Sequence, residues 1–195
     1  MTKEFYNVGD GQLSKIVIEI ALNRLGDLLK EHNKRVELVA AGGVISVLRF
    51  GSRLMTRDID VIIPVHDKVL LTRLISQVAI EQNLPSGKHA WLNDSISFFG
   101  LQTKSTNLIF RHEHLSLFSA TWHELLGMKL SGAWRRDTDF NDAVHILREI
   151  GSNNKPHTLL ESLKYKNFSP FTDDETFTRR FERIWQDAFG SDFKK

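Results

Sequence analysis

Cysteine is absent from the 195-residue chain, so neither a disulfide nor a thiolate metal site can form. The chain also lacks any run of about 18 apolar residues, and this excludes a hydropathy-defined transmembrane helix. It contains no Gly-x-Gly-x-x-Gly fingerprint and no P-loop. Neither sign of charge dominates, and a net charge of +2 does not by itself indicate nucleic-acid binding. The first residues, Met-Thr-Lys-Glu, are not typical of a signal peptide, so we expect a cytoplasmic protein.

The composition is typical of a globular protein, with 41% hydrophobic and 26% charged residues. This length allows one large core, or a core with a helical appendage. The patterns change near residue 119: strands and helices alternate before it, and only helical spacing follows. We therefore predict an α/β (α+β) core at 1–119, with an N-terminal helix, and a C-terminal helical region at 120–195 packed on that core.

Hydrophobic spacing and turn residues predict the individual elements. The predicted helices are 12–31, 44–50, 66–83, 122–130, 139–150, 156–163 and 175–189. Thr121 is the expected N-cap of the fourth. The predicted strands are 37–41, 59–63, 95–99 and 107–117, with a bulge or bend in the last because its alternation is broken.

Two carboxylates open the apolar run at 59–63. In a strand, residues i and i+2 point to the same face, so Asp58 and Asp60 should project together while Ile59 and Val61 enter the core. Neighbouring carboxylates repel each other unless a cation lies between them. Mg²⁺, or the similar Mn²⁺, is the expected cation because it binds one or two carboxylates together with substrate phosphates.

A glycine pair, Gly42-Gly43, ends the preceding apolar run. Glycine lets a phosphate approach the backbone closely, and the first amides of the following helix favour anions. Arg49, Arg53 and Arg57 recur at every fourth position between the glycines and the acids. They either contact phosphates or form a solvated basic face of a helix. The whole segment indicates a metal–nucleotide site.

A second group of charged residues lies in the helical region. Lys129 stands in a mostly apolar segment, and Asp139 and Asp142 are i, i+3 neighbours on a predicted helix. A partly buried lysine requires acidic partners. The cluster is therefore either part of a functional site or an ion pair that joins two helices.

Four motifs occur in order: Gly42-Gly43, Arg53-x-x-Thr56-x-Asp58-Ile59-Asp60, Leu-Leu-Gly-Met-Lys129-Leu, and Arg136-x-x-Asp139-x-x-Asp142. Together, over about residues 36–150, they resemble the DNA polymerase β-type nucleotidyltransferase superfamily. The branch they resemble most is the AbiEii-like toxin group. The resemblance implies a short mixed β-sheet flanked by helices, with the glycine pair before the first core helix and the Asp-x-Asp motif on the next strand.

The resemblance also implies Mg²⁺-dependent transfer of a nucleotidyl group from an NTP to an acceptor. By position, Asp58 and Asp60 hold the metal, and Gly42 and Gly43 approach the phosphates. Arg53, Thr56 and Arg57 belong to the nucleotide side of the site. Lys129 with Asp142 or Asp139 matches further catalytic positions. The acceptor stays open between RNA or tRNA, a protein and a small molecule, and an antitoxin is a further expected partner.

The chain departs from the superfamily pattern in two places. Many members carry a third metal-binding carboxylate on a neighbouring strand; the candidates here are Asp94, Glu113 or none. The usual Gly-Ser is Gly-Gly, which removes a hydroxyl from the phosphate side. The alternative function is therefore a catalytically weak or inactive module of the same fold that binds a nucleotide or a partner protein.

Overall fold

The structure, a computed structural model, describes residues 11–87, 90–97, 100–101, 107–132, 137–165 and 172–190. The chain divides into two compact units, Met1–Ser119 and Ala120–Lys195. The first unit is mixed α/β and the second is helical over its described residues. No described helix has the length and apolar character needed to span a bilayer.

The described residues of the first unit include a five-stranded mixed sheet. Its elements in chain order are β1 (Leu13–Ser14), α1 (Lys15–Glu31), β2 (Val36–Ala41), α2 (Gly43–Ile45) continued by a π-helical turn (Ser46–Phe50), β3 (Met55–Thr56), β4 (Ile59–Ile62), α3 (Lys68–Gln82), β5 (Leu92–Asn93), β6 (Leu108–Arg111) and β7 (Leu115–Ser119). The sheet order is β5-β4-β2-β7-β6. Strands β4 and β2 are antiparallel, whereas β4 with β5 and β2 with β7 are parallel. The predicted α+β class, with a mixed sheet and helices, is confirmed.

Helix α1 covers the sheet with one apolar face. The predicted helix 12–31 is confirmed from Lys15 onward. Ser14 caps it, because its side chain accepts a hydrogen bond from the Val17 amide. The preceding residue, Leu13, pairs with Thr56 of β3 in a small separate sheet. The buried face of α1 packs on β7 and α3.

The segment that follows β2 is a tight turn into a short helix. The predicted strand 37–41 is confirmed as β2, which ends at Ala41. Gly42 then adopts φ 76° and ψ −153°, a conformation that an L side chain rarely adopts. The predicted helix 44–50 is present, but its second half widens into a π-helical turn that ends at left-handed Gly51.

The predicted strand 95–99 is wrong over its described residues. The strand lies earlier, at Leu92–Asn93, and 95–97 form a turn. The Asn93 side chain accepts a hydrogen bond from the Ser95 amide, and the Ser97 hydroxyl donates to the Asp94 carbonyl. These local polar bonds compete with a sheet ladder, so the chain turns. Positions 98 and 99 lie outside the described residues.

The predicted strand 107–117 is two strands of a hairpin, β6 and β7. The chain reverses at His112–His114, where His112 and Leu115 exchange backbone hydrogen bonds of 2.8 and 3.3 Å. The register also shifts between Leu108 and Phe110, as at a bulge. The broken alternation in the sequence therefore marks a chain reversal as well as an irregular register.

The second unit contains the helices α4 (Trp122–Ser131), α5 (Asp137–Ile150), α6 (Pro156–Tyr165) and α7 (Asp174–Phe189). The predicted helices are confirmed, with boundaries shifted by at most a turn. Thr121 caps α4 as expected, and its partner Glu124 completes a capping box. The buried face of α7 consists of Phe177, Phe181, Ile184 and Trp185.

Candidate nucleotide and metal site

The carboxylate of Asp60 lies against the backbone of Gly42. Asp60 is the partner of Ala41 where β2 and β4 pair, so Gly42 directly follows the strand position that faces Asp60. A Cβ atom built on Gly42 would be 3.0 Å from Asp60 Oδ2. A larger residue at 42 would press on the carboxylate and would also be strained by the positive φ. Glycine is thus required here for two independent reasons.

Gly43 has a similarly close neighbour. A Cβ atom on Gly43 would be 2.6 Å from the hydroxyl oxygen of Thr56 and 3.3 Å from a guanidinium nitrogen of Arg53. The buried Thr56 hydroxyl also donates to the carbonyl of Asp58 at 3.2 Å. The loop from 51 to 58 therefore folds back over the start of α2. The structure brings together five of the residues expected in the nucleotide site: Gly42, Gly43, Arg53, Thr56 and Asp60.

The two acids flank a buried strand residue as expected. Ile59 and Val61 are fully buried, whereas Asp58 and Asp60 are partly exposed. Asp60 lies within β4, whereas Asp58 directly precedes its first residue, Ile59. Asp60 Oδ1 accepts a hydrogen bond of 2.5 Å from the hydroxyl of Ser95, which fixes the orientation of this carboxylate without neutralising it.

The three arginines do not form one helix face. Arg49 lies in the π-helical turn, Arg53 in the following loop and Arg57 just before β4. The helix ends between the first two, because Gly51 adopts the left-handed conformation. The interpretation as a basic helix face is therefore wrong, and Arg53 is the arginine that reaches the glycine pair.

Neither candidate for a third carboxylate lies beside Asp60 with its oxygens open. Asp94 Oδ1 accepts from the Ile63 amide at 3.3 Å, and Oδ2 accepts from the Lys68 ammonium at 2.7 Å. These bonds tie β5 to the end of β4 and to α3. The Cα partner of Asp60 on β5 is Asn93, an amide in place of an acid.

Glu113 lies at the opposite end of the sheet. Strands β2 and β7 run parallel from Val36–Leu115 to Ala40–Ser119, so Glu113 is level with the beginning of β2, whereas Gly42 follows its end. Its carboxylate is exposed and pairs with Lys30 at 3.0 Å. The Lys30 ammonium lowers the pKa of Glu113 below its ordinary value.

Asp58 and Asp60 therefore stay the two carboxylates expected to bind a metal ion. Among the described residues no three His, Cys, Asp or Glu side chains are grouped closely enough to hold a metal on their own. Mg²⁺ commonly takes one or two protein carboxylates and completes its octahedron with water and substrate phosphates. The Asp60 carboxylate beside the glycine pair, with Asp58 two residues before it, fits this ion.

The charged cluster of the second unit is an ion-pair triad. Lys129 Nζ lies 3.1 Å from Asp139 Oδ1 and 2.7 Å from Asp142 Oδ2, which joins α4 to α5. The Asp142 side chain is 1% exposed and that of Lys129 is 15% exposed. The two acids share a helix face, as their spacing indicates. Arg136, the first residue of the fourth motif, lies outside the described residues.

Sequence reasoning missed Ser95 and Asn93, which lie beside Asp60. Their only signal was the turn composition Asn93-Asp94-Ser95, which drew attention to the acid in its centre. Their proximity to Asp60 depends on the parallel pairing of β5 with β4, and a two-residue strand has no periodicity to reveal it.

Comparisons of the chain with protein-family models, with curated proteins and with solved structures found no match in any of the three.

Proposed function

We propose that this chain is a Mg²⁺-dependent nucleotidyltransferase of the polymerase β type, which transfers a nucleotidyl group from an NTP to an acceptor. The observation that carries the proposal is the contact between the Asp60 carboxylate and the backbone of Gly42, 3.0 Å from where a Cβ would lie. A carboxylate beside two residues that have no side chain of their own is suited to the metal and the phosphates of a metal–nucleotide substrate.

Each residue has a role in this proposal. Asp58 and Asp60 would hold Mg²⁺, which would supply charge neutralisation to the triphosphate. Ser95 positions Asp60 through its hydroxyl. Gly42 and Gly43 admit the phosphates close to the main chain.

The cations and hydroxyl of the loop act on the nucleotide. Arg53, against Gly43, and Arg57, exposed just before Asp58, place positive charge where the triphosphate lies. Thr56 holds the loop over α2 through its bond to the Asp58 carbonyl. An acceptor hydroxyl attacks the α-phosphorus and gives its proton to water or to an acid of the site, the bond to the bridging oxygen breaks, and pyrophosphate leaves with the electron pair of that bond.

The triad of Lys129, Asp139 and Asp142 has two assignments. In the catalytic assignment, the lysine stabilises phosphate charge and one acid receives the acceptor proton. The geometry favours a positioning role, because both acids already engage the lysine and Asp142 is almost fully buried. The acceptor is an RNA such as tRNA, a protein or a small molecule, and a toxin-like activity would come with a neutralising antitoxin.

A second function is a nucleotide-binding module without catalysis. The specific observation in its favour is Asn93, an amide where a third carboxylate would face Asp60 across the two strands. An amide is neutral and a weaker ligand of a hard cation than a carboxylate, so metal affinity and transfer would both fall.

The test is incubation with Mg²⁺ and each α-³²P-labelled NTP, with total RNA or a protein lysate as acceptor. We expect label on one acceptor class for the parent and none for Asp60→Asn. Glu113→Gln is the matched control, because it removes an exposed carboxylate of the same unit. No labelling, together with an Mg²⁺–NTP-dependent rise in Tm that Asp60→Asn abolishes, would favour the binding module. Labelling that Asp60→Asn leaves unchanged contradicts the assigned site.

A further inference from the structure

A groove lies in the first unit, at the end of the sheet opposite to Gly42. It has a volume of about 390 Å³ and opens beside the first residues of β2, whereas Gly42 follows the last. Small-molecule sites usually fall between about 300 and 1,000 Å³, so this groove accommodates a small ligand. None of the residues proposed for nucleotide transfer lines it, and the following inference is independent of that function.

The groove exists because β4 stops pairing before β2 does. The β2–β7 ladder begins at Val36, but the β2–β4 ladder covers only Val39 to Ala41. Beyond Ile62 the chain turns at Pro64, which has no N–H to donate and diverts the chain towards α3. Among the described residues, no strand therefore pairs with the first residues of β2 on the β4 side.

The main chain of Glu37 faces this uncovered side. The Val36 amide donates to the His114 carbonyl, on the β7 side of the strand. In a strand, the N–H and C=O of one residue point to one side, and those of the next residue point to the other side. The amide and carbonyl of Glu37 therefore point towards β4 and the groove. The groove therefore offers main-chain hydrogen-bonding groups as well as side chains.

The charged residues that line the groove differ in burial. Asp67 is only 6% exposed, so it is a buried carboxylate, and its Oδ2 atom lies 3.0 Å from His66 Nε2. The His66 side chain is 79% exposed. Arg35 and Glu37 are exposed on the β2 side. Val36, Val39, Ile62 and Pro64 are the apolar residues of the lining.

We infer that this groove binds a free apolar α-amino acid. The ammonium group pairs with Asp67, where it replaces the ring of His66. The carboxylate pairs with the guanidinium of Arg35, and the side chain covers Val39 and Ile62. A buried carboxylate is stabilised by a full cation that donates hydrogen bonds, which an ammonium provides.

The charges also select against other ligands. Two acids, Glu37 and Asp67, line the groove, so a di- or triphosphate would be repelled. A fatty acid would satisfy Arg35 but leave Asp67 without its cation. An amine without a carboxylate would leave Arg35 unused. A zwitterion offers an opposite charge to each of these two side chains.

The experiment is isothermal titration of the full chain with a panel of apolar L-amino acids, with leucine as the first probe. Leucinamide, which lacks the carboxylate, and 4-methylpentanoate, which lacks the ammonium, are the matched probes. We expect at least one amino acid of the panel to bind, and each matched probe to bind at least about tenfold more weakly, because each loses one charge-assisted hydrogen bond. Absence of binding by the whole panel at millimolar concentrations overturns the inference, as does equal binding of 4-methylpentanoate.

Variants locate the site. Arg35→Gln alters an exposed side chain and should fold, and we expect it to weaken amino-acid binding about tenfold. Arg111→Gln, another exposed arginine of the same unit, is the control and should bind like the parent. Asp67→Asn should also weaken binding, provided that its melting curve is intact. Unchanged binding in Arg35→Gln contradicts the inference whether or not Asp67→Asn folds.

Discussion

Each unit of this chain contains an acid with another acid two or three residues away, Asp60 in the first and Asp142 in the second, and the surroundings of these two residues differ. In the second unit, Asp142 is buried and accepts from the ammonium of Lys129. In the first, Asp60 is partly exposed and accepts from the neutral hydroxyl of Ser95. A buried carboxylate requires a countercharge within the fold, whereas a carboxylate held by a hydroxyl keeps its charge for a cation from outside. The difference distinguishes an acid that stabilises the fold from one that is suited to binding.

The charge of Asp60 should serve binding and contribute little to folding. Asp60→Asn preserves the size of the side chain and its bond to Ser95 but removes the charge. We expect nucleotidyl transfer to fall about 10³-fold or more, on the order of the loss of one strong transition-state interaction. The free energy of unfolding, measured in urea without ligand, should change by less than about 1 kcal/mol. A large loss of stability would place Asp60 in the same class as Asp142.

The opposite expectation holds for the triad. Lys129→Met leaves Asp142 buried without its ammonium, so we expect the free energy of unfolding to fall by about 3–5 kcal/mol. The double variant Lys129→Met/Asp142→Leu removes both charges and should recover much of that loss. Urea unfolding followed by circular dichroism measures both. Lys30→Met breaks the exposed pair with Glu113 and serves as the control, with an expected loss within about 1 kcal/mol.

If instead Lys129→Met unfolds like the parent and transfer is lost, the triad is catalytic and the structural assignment is wrong. Loss of both stability and transfer in Lys129→Met, with transfer restored in the double variant, would establish a positioning role. The two assignments therefore give different results in the same set of proteins.

Substitutions at Gly42 and Gly51 separate the strain of a positive φ from the contact with Asp60. Gly42→Ala meets Asp60 and adopts an unfavourable φ of 76°, so we expect a loss of about 1–3 kcal/mol together with weaker binding of Mg²⁺ and NTP. Gly51→Ala has a similar φ of 64° with no atom within 4 Å of the added Cβ, so it should lose about 1 kcal/mol and keep binding. Thermal melting with and without Mg²⁺–NTP separates the two effects. Equal ligand binding in both variants would mean that Gly42 serves only the turn.

Much of the first unit follows from local patterns. The alternation around Asp58 and Asp60 predicts β4 with its buried and exposed faces, and the glycine pair predicts the turn after β2. The contact between Gly42 and Asp60 then follows from the pairing of two neighbouring strands. Periodicity and capping likewise predict α1 and the four helices of the second unit.

What could not be predicted depends on pairing between distant segments. Strand β5 has two residues and no periodicity, so the position of Asn93 opposite Asp60 has no local signal. The hairpin at His112–His114 contains no glycine or proline to mark the reversal. The groove beside the first residues of β2 depends on where β4 ceases to pair with β2. Pro64 indicates the end of a strand, but the sequence does not reveal that β2 continues past it.

The smallest effect concerns an ion pair that is neither buried nor part of a site. Arg24 of α1 pairs with Glu81 of α3 at 2.7 Å, and this hydrogen bond lowers the pKa of Glu81 from 4.5 to about 2. Because the folded pKa is depressed, the stabilisation is complete above about pH 4.5 and is lost as the pH falls towards 2. Glu81→Gln should therefore unfold with a weaker dependence on pH in this window and should change little at neutral pH. Urea unfolding across the window measures the slope, and Glu161→Gln, an exposed acid of the second unit, is the control. An unchanged slope in Glu81→Gln would mean that this solvated pair contributes nothing to the free energy of unfolding. Ion pairs would then stabilise this fold only where they are buried, as in the triad of Lys129.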